Sequence, residues 1–173
     1  MHCNVACTGL KTDGSIITWG DTTRGGNPQG KDLTDMTQVV CGADAFVGLK
    51  TDGSIVTWGD GRYGGDTQGK DVTGLAQVAC GDRACAGLKT NGSVVAWGDS
   101  LYGGDTQGKD VTGVAQIICG GFACAGLKTD GSVVAWGGSG GDTQGKLITG
   151  ANRITCGGSA CVALYAPGKF VCQ

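Results

Sequence analysis

The sequence predicts an all-β protein assembled from short repeated sheets, and three observations carry that expectation. Trp19, Trp58, Trp97 and Trp136 recur every 39 residues inside a shared run, Thr-Asp/Asn-Gly-Ser-Ile/Val-Ile/Val-Thr/Ala-Trp-Gly. A fixed period of that size marks a stacked or radial repeat architecture. An Asp-Gly or Asn-Gly pair stands at 13–14, 52–53, 91–92 and 130–131, each followed by β-branched residues, which is a strong hairpin signal. All 15 acidic residues are aspartates. Asp favours turns and caps whereas Glu favours helix, so almost no helix is expected. The 36 glycines follow the same period and therefore indicate tight turns rather than disorder.

The second repeat gives the pattern for the rest. Gln38-Val39-Val40-Cys41 is a short apolar run, Gly42-Ala43-Asp44 a turn, and Ala45 to Lys50 a second run. Asp52-Gly53 then reverses the chain into Ser54-Ile55-Val56-Thr57-Trp58, so each repeat supplies three short antiparallel strands. The polar connection from Gly59 to Gly74 has room for one weak edge strand, around Asp71-Val72-Thr73. The first repeat enters at Cys3, without its first strand, and its connection, Asp21 to Asp35, is atypical. The third and fourth repeats are the most regular, and the fourth connection is two residues shorter. The fifth is degenerate, turning at Ala166-Pro167-Gly168-Lys169 and reaching Phe170-Val171-Cys172-Gln173 where a Trp is due. The whole chain, 1–173, reads as one repeat domain with hairpins at 13–14, 52–53, 91–92, 130–131 and 167–168. Ile55 and Val56, like Val94 and Val95, point to opposite faces of their strand. A sheet apolar on both faces must be covered on both, as in propeller blades or the coils of a solenoid.

These residues resemble a known family. Cys41-Gly42, Gly48-Leu49-Lys50-Thr51-Asp52-Gly53-Ser54, Trp58-Gly59-Asp60 and Tyr63-Gly64 recur in register through most of the chain. They look like the repeats of the RCC1 (regulator of chromosome condensation) superfamily, with a period closer to the compact repeats of the propeller-type β-lactamase-inhibitor protein. The resemblance implies an RCC1-like β-propeller whose repeats each hold three to four short strands. About five blades would form, in an incomplete or open ring, where the family usually has seven. Gly64-Gly65-Asp66 and Gly103-Gly104-Asp105 stand where the family has Gly-Gln-x-Gly. The nucleotide-exchange role of the founding members is not carried over, because no residues here map onto it.

Composition narrows the function. The net charge is -2 and the basic residues are scattered, so nucleic-acid binding is not expected. No apolar run reaches the length of a membrane span, so no membrane insertion is expected. Met1-His2-Cys3-Asn4 does not read as a signal peptide. Ten cysteines nevertheless point to an oxidising compartment, extracellular or lumenal. Cys80 and Cys85, Cys119 and Cys124, and Cys156 and Cys161 share one spacing, with Cys3 and Cys7 a shortened version. Each pair closes a hairpin and reads first as a disulfide; buried thiols in small core sites and a metal site are the alternatives. Cys41 and Cys172 are left over by that spacing, as thiols, as a pair with each other or as links between chains.

The only histidine is His2, and no nucleophile–base–orienter set is present, so a non-catalytic protein without cofactor or metal is expected. The Gly/Asp loops from Gly64 and Gly103 read as turn chemistry before calcium sites, and the tryptophans as core before a ligand ladder. The Gly-rich connections offer Arg62, Tyr63, Asp66, Leu101, Tyr102 and Asp105 as partner contacts, because aromatic and Arg anchors are what interfaces favour. The expected partner is another protein or further copies of the chain. The alternative is a structural repeat subunit of an extracellular or lumenal filament or large assembly, joined through open sheet edges.

Overall fold

In the computed structural model, which describes residues 6–138, 141, 143 and 146–165, the hairpins set the strand lengths. At each, the carboxylate or amide of Asp13, Asp52, Asn91 or Asp130 accepts both the backbone N–H and the hydroxyl of the Ser two residues on. That grip keeps the Asp at negative φ and leaves the left-handed position to the Gly, at φ 79° for Gly53. The Gly53 N–H reaches the Lys50 carbonyl and the Lys50 N–H reaches Ser54. The reversal is therefore a three-residue loop with a bulge glycine, not the two-residue mirror-image turn that Asp-Gly predicts.

The strands are β1 (Ala6–Leu10), β2 (Ile16–Gly20), β3 (Met36–Cys41), β4 (Ala45–Lys50), β5 (Ile55–Gly59), β6 (Leu75–Cys80), β7 (Ala84–Lys89), β8 (Val94–Gly98), β9 (Val114–Cys119), β10 (Ala123–Lys128), β11 (Val133–Gly137), β12 (Arg153–Cys156) and β13 (Cys161–Leu164). They form five antiparallel sheets in chain order: β1-β2, β3-β4-β5, β6-β7-β8, β9-β10-β11 and β12-β13. Strands β3, β6, β9 and β12 are the inner strands of their sheets, each lying beside the next. Among the described residues the fold is an open β-propeller arc of three-stranded blades flanked by the two-stranded sheets β1-β2 and β12-β13.

No strand forms at Asp71–Thr73, against the expectation of a weak edge strand. The Asp71 carboxylate accepts the Thr73 N–H and hydroxyl and pairs with Lys89 at 2.6 Å, and a residue bonded to its own backbone in this way is withheld from a ladder. Asp32 with Lys50 and Asp110 with Lys128 repeat the arrangement.

Each blade has a front face, turned to the blade before it, and a back face, turned to the blade after. Val47, Leu49 and Ile55 on the back of the second blade meet Leu75, Val78, Cys85, Val95 and Trp97 on the front of the third. The same grouping recurs at the neighbouring junctions. Two polar devices fix the spacing. The indole N–H of Trp58, Trp97 and Trp136 donates to the carbonyl of Gly25, Gly64 and Gly103, each 33 residues earlier, at 3.0–3.1 Å. On the inner strands the Gln77 amide accepts the Ile117 N–H and donates to its carbonyl, at 3.1 and 3.0 Å, and Gln38 clips Val78 likewise. Edge groups that a next strand would take in a flat sheet are thus taken by a side chain of the preceding blade.

The turns between inner and middle strands pack backbone to backbone. A Cβ placed on Gly81 would lie 2.0 Å from the Gly120 carbonyl oxygen, and one on Gly120 would lie 1.9 Å from that of Gly157. The glycines that follow Cys41, Cys80 and Cys119 are thus set by contact between blades. The cysteines themselves are direct cross-strand partners, joined as Cys80–Cys85, Cys119–Cys124 and Cys156–Cys161. Cys41 faces Phe46 across β3–β4. Cys3, the partner expected for Cys7, lies outside the described residues, as do Cys172 and the hairpin at 167–168.

Candidate functional site

After β2, β5 and β8 an aspartate opens a single 3-10 turn: Thr22–Arg24, Gly61–Tyr63 and Ser100–Tyr102, started by Asp21, Asp60 and Asp99. The Asp side chain accepts the N–H two residues on, and a left-handed glycine (Gly25, Gly64, Gly103) ends the turn. Because that glycine carbonyl is held by the Trp of the following blade, the turn is anchored across the junction and its last side chain is placed beside the next blade's first hairpin.

The side chains that meet there are complementary pairs. At the first junction Arg24 meets Asp44 in an ion pair of 3.1 Å. At the second, the Arg83 guanidinium stacks on the Tyr63 ring, 4.9 Å from its centre. At the third, Tyr102 stacks on Phe122 with ring centres 4.9 Å apart. Arg83 also lies 4.8 Å from the Tyr102 ring, and Arg62 covers Tyr63 from 5.2 Å. Arg62, Tyr63, Arg83, Tyr102 and Phe122 therefore form one alternating row of cations and rings across two junctions. Such stacking holds planar side chains in place while their edges stay in water.

Electrostatically the row is uneven. Arg62 grips Asp60 through Nε and Nη2, at 3.1 and 2.6 Å. Its guanidinium holds the Asp60 carboxyl below the usual carboxylate range, and Asp60 in turn raises Arg62. Among the described residues Arg83 makes no ion pair. It is an exposed cation with its plane fixed by two tyrosines and its N–H edge unclaimed.

Of the six contacts expected from sequence, Arg62, Tyr63 and Tyr102 lie in this row. Leu101 stands out beside it, 70% exposed. Asp66 and Asp105 lie further along the loops, where their carboxylates accept the N–H of Gln68 and Gln107 at 2.6 and 2.7 Å. Sequence reasoning missed Arg83 and Phe122. Both occupy the turn position before Ala84 and Ala123, where the second repeat has Asp44, and the variation at that one position was the available signal. Trp58, Trp97 and Trp136 are buried in blade junctions rather than arrayed for a ligand. Among the described residues no cluster of His, Cys or Asp could hold a metal ion. A concavity of about 530 Å³ runs along the inner strands and is lined mainly by apolar residues, among them Leu10, Val40, Val78 and Ile118. No helix among the described residues is long and apolar enough to cross a membrane.

Comparison with known proteins agrees with this architecture. Residues 36–64 and 75–103 match the family model described as regulator of chromosome condensation (RCC1) repeat. Each match runs from an inner strand to the glycine that ends the 3-10 turn. No curated protein matches the chain in sequence. Among solved structures, human WBSCR16 is similar with a TM-score of 0.66 at 20% identity, over 88% of this chain and 55% of that one. The ectodomain of the Physcomitrella patens receptor kinase CR4 matches with a TM-score of 0.67 at 18% identity, over 97% of this chain and 46% of its own. Prp20p from Saccharomyces cerevisiae, a structure described with its binding properties to Gsp1p and histones, matches with a TM-score of 0.65 at 15% identity, over 92% and 54%. The chain thus spans about half the length of the solved proteins it matches, and at these identities the likeness speaks for the fold alone.

Proposed function

Because the chain carries RCC1-type repeats in an open propeller arc, we propose that it is a non-catalytic protein-interaction module whose partner meets the 3-10-turn face. The observation that carries this reading is the Arg62–Tyr63–Arg83–Tyr102–Phe122 row. Stacked rings and guanidinium groups lose little side-chain freedom on binding, and they are the residue types that anchor interfaces. Two structures of similar fold are of one yeast protein, Prp20p, one described with its binding properties to Gsp1p and histones and the other bound to Kap60. Three disulfides fit work in an oxidising compartment, outside the cell or in a lumen. The working partner is a protein rather than a nucleic acid, since the face carries Asp44, Asp60 and Asp82 among its arginines.

Affinity capture tests it. The chain and its Tyr63→Ala/Tyr102→Ala variant are presented to the same extract, with circular dichroism confirming that both keep their sheets. A partner of this face is retained at least about tenfold better by the unchanged chain, in keeping with a loss of over 1.4 kcal/mol at two anchors. An identical set of retained proteins refutes the assignment.

A second reading, a subunit of a larger assembly joined end to end, is favoured by a separate observation. Both end sheets leave large apolar side chains in solvent, Ile17 and Trp19 on one and Val162 and Leu164 on the other.

A further inference from the structure

One hairpin departs from the other three by a single group of atoms. The reversals between middle and outer strands carry Asp13, Asp52 and Asp130, but the third carries Asn91, in the run Asn91-Gly92-Ser93. The fold does not ask for the change. Asn91 Oδ1 accepts the Ser93 N–H at 3.0 Å and its hydroxyl at 2.7 Å, as Asp52 Oδ1 accepts those of Ser54 at 2.9 and 2.6 Å. One oxygen meets the whole need of the turn, and the amide nitrogen is left over. Among the described residues it donates to no group, and the side chain is exposed at the hairpin tip. Asn-x-Ser, with x other than Pro, is the acceptor pattern for N-linked oligosaccharide. The other asparagines do not meet it: Asn27 precedes Pro28, and Asn4 and Asn152 have Ala6 and Ile154 where the hydroxyl is required.

We propose that Asn91 is an N-glycosylation site and carries an oligosaccharide on its Nδ2. The inference rests on the oxidising-compartment reading, because disulfide formation and this transfer share the secretory lumen. There the Asn91 Nδ2 attacks the anomeric carbon of a polyprenyl-diphosphate-linked oligosaccharide. The nitrogen–carbon bond forms as the bond from that carbon to the diphosphate oxygen breaks. The polyprenyl diphosphate leaves with the electron pair, and one amide proton passes to a base of the transferase. The product keeps Oδ1 and both of its hydrogen bonds, so the turn closes as before with the sugar outside it. Strand direction fixes where the sugar stands. β7 runs from the turn holding Arg83 to the Asn91 hairpin, and β8 returns from that hairpin to the Ser100–Tyr102 turn. The oligosaccharide and the arginine–tyrosine row thus lie at opposite ends of the blade, about 20 Å apart along the six residues of β7. The sugar covers the end that carries the Asp71–Lys89 pair and leaves the partner-binding face open.

Mass spectrometry of the chain isolated from the cells that make it tests the site. After thiol alkylation and trypsin, the peptide from Thr90 to Lys109 is heavier by one oligosaccharide. Peptide N-glycosidase in heavy-oxygen water removes that mass and leaves the label at position 91, which earlier spontaneous loss of ammonia at Asn91-Gly92 does not. A second arm translates the chain behind a cleavable signal sequence in the presence of microsomes. The protease-protected product shifts by one oligosaccharide on a gel, whereas Asn91→Asp and Ser93→Ala do not shift. Asn91→Asp restores the residue of the sister hairpins and keeps the acceptor oxygen, so its lost shift is not a loss of fold, as circular dichroism verifies. A native chain with its cysteines bridged and no added mass on the Thr90–Lys109 peptide overturns the site and leaves the compartment reading standing. Free thiols with no added mass overturn both. A shift that survives Asn91→Asp places the sugar elsewhere and overturns the assignment.

Discussion

Replacing the indole of Trp97 tests how the blades are held apart at the right distance. Its indole N–H fills a buried carbonyl, that of Gly64, at 3.1 Å. Trp97→Phe leaves that oxygen without a donor and opens a gap beside a smaller ring, so a loss of at least about 1–3 kcal/mol in urea unfolding is expected. Trp19→Phe, at the same repeat position but 51% exposed, should change stability little at concentrations where the chain is monomeric. A titration makes a second residue-scale prediction. Asp32, Asp71 and Asp110 are held below the carboxylate value of 3.8, Asp110 at about 2, first by the hydrogen bond from Lys50, Lys89 or Lys128 and then by the Thr two residues on. A carboxyl lowered in the folded state stabilises it above the unfolded value and loses that contribution as pH falls through the folded one. The unfolding midpoint should therefore be flat from neutral pH down to about 5 and fall below about 4, and added salt should flatten the fall because these pairs are exposed. A midpoint that rises on acidification contradicts the assignment. Arg83 shows where sequence reasoning stopped at this scale. Tyr63 and Tyr102 stood out as loop aromatics, but the cation between them arrives from the next blade, and no local spacing announces a contact of that kind.

At the scale of elements, one position repeated four times gives an internal control. Gly42, Gly81, Gly120 and Gly157 each follow an inner-strand cysteine. A Cβ at Gly120 would fall 1.9 Å from a carbonyl oxygen of the next blade's turn, whereas one at Gly157 meets nothing within 4 Å. Gly120→Ala should cost at least about 2 kcal/mol, because the clash is with backbone that cannot rotate away. Gly157→Ala should be neutral, and equal effects at the two sites would show that local conformation rather than blade contact selects the glycine. The elements themselves were legible. The Asp-Gly and Asn-Gly pairs fixed the middle and outer strands, and the apolar run before each Cys-Gly fixed the inner one. Two features were not. The 3-10 turns have a local signature, an aspartate four residues before a glycine as in Asp60 and Gly64, but their placement depends on a Trp in another repeat. The expected strand at Asp71–Thr73 failed because periodicity cannot register that an aspartate is already committed to Thr73 and Lys89.

For the molecule as a whole, the consequence of this architecture is that stability is shared between neighbours and nowhere pooled. Each blade core contains residues of two adjacent sheets, so an interior sheet is supported twice and an end sheet once. In such a linear array each unit's persistence is set by its own folding plus its nearest-neighbour contacts. Hydrogen exchange should therefore be graded. Amides of β7 and β10, flanked by sheets on both sides and stapled by Cys80–Cys85 and Cys119–Cys124, should exchange last. Those of β1-β2 and β12-β13 should exchange first in dilute solution, through local opening rather than global unfolding. Concentration then becomes the informative variable. If copies join end to end, protection must rise at β1-β2 and β12-β13 together and leave the interior blades unchanged. A partner bound instead at the arginine–tyrosine row would slow exchange in the 3-10 turns and the hairpins at Arg83 and Phe122, leaving the end sheets as they were. The two binding readings thus leave separate protection patterns on the same strands, and an exchange profile that is uniform along the chain would contradict the nearest-neighbour picture beneath both.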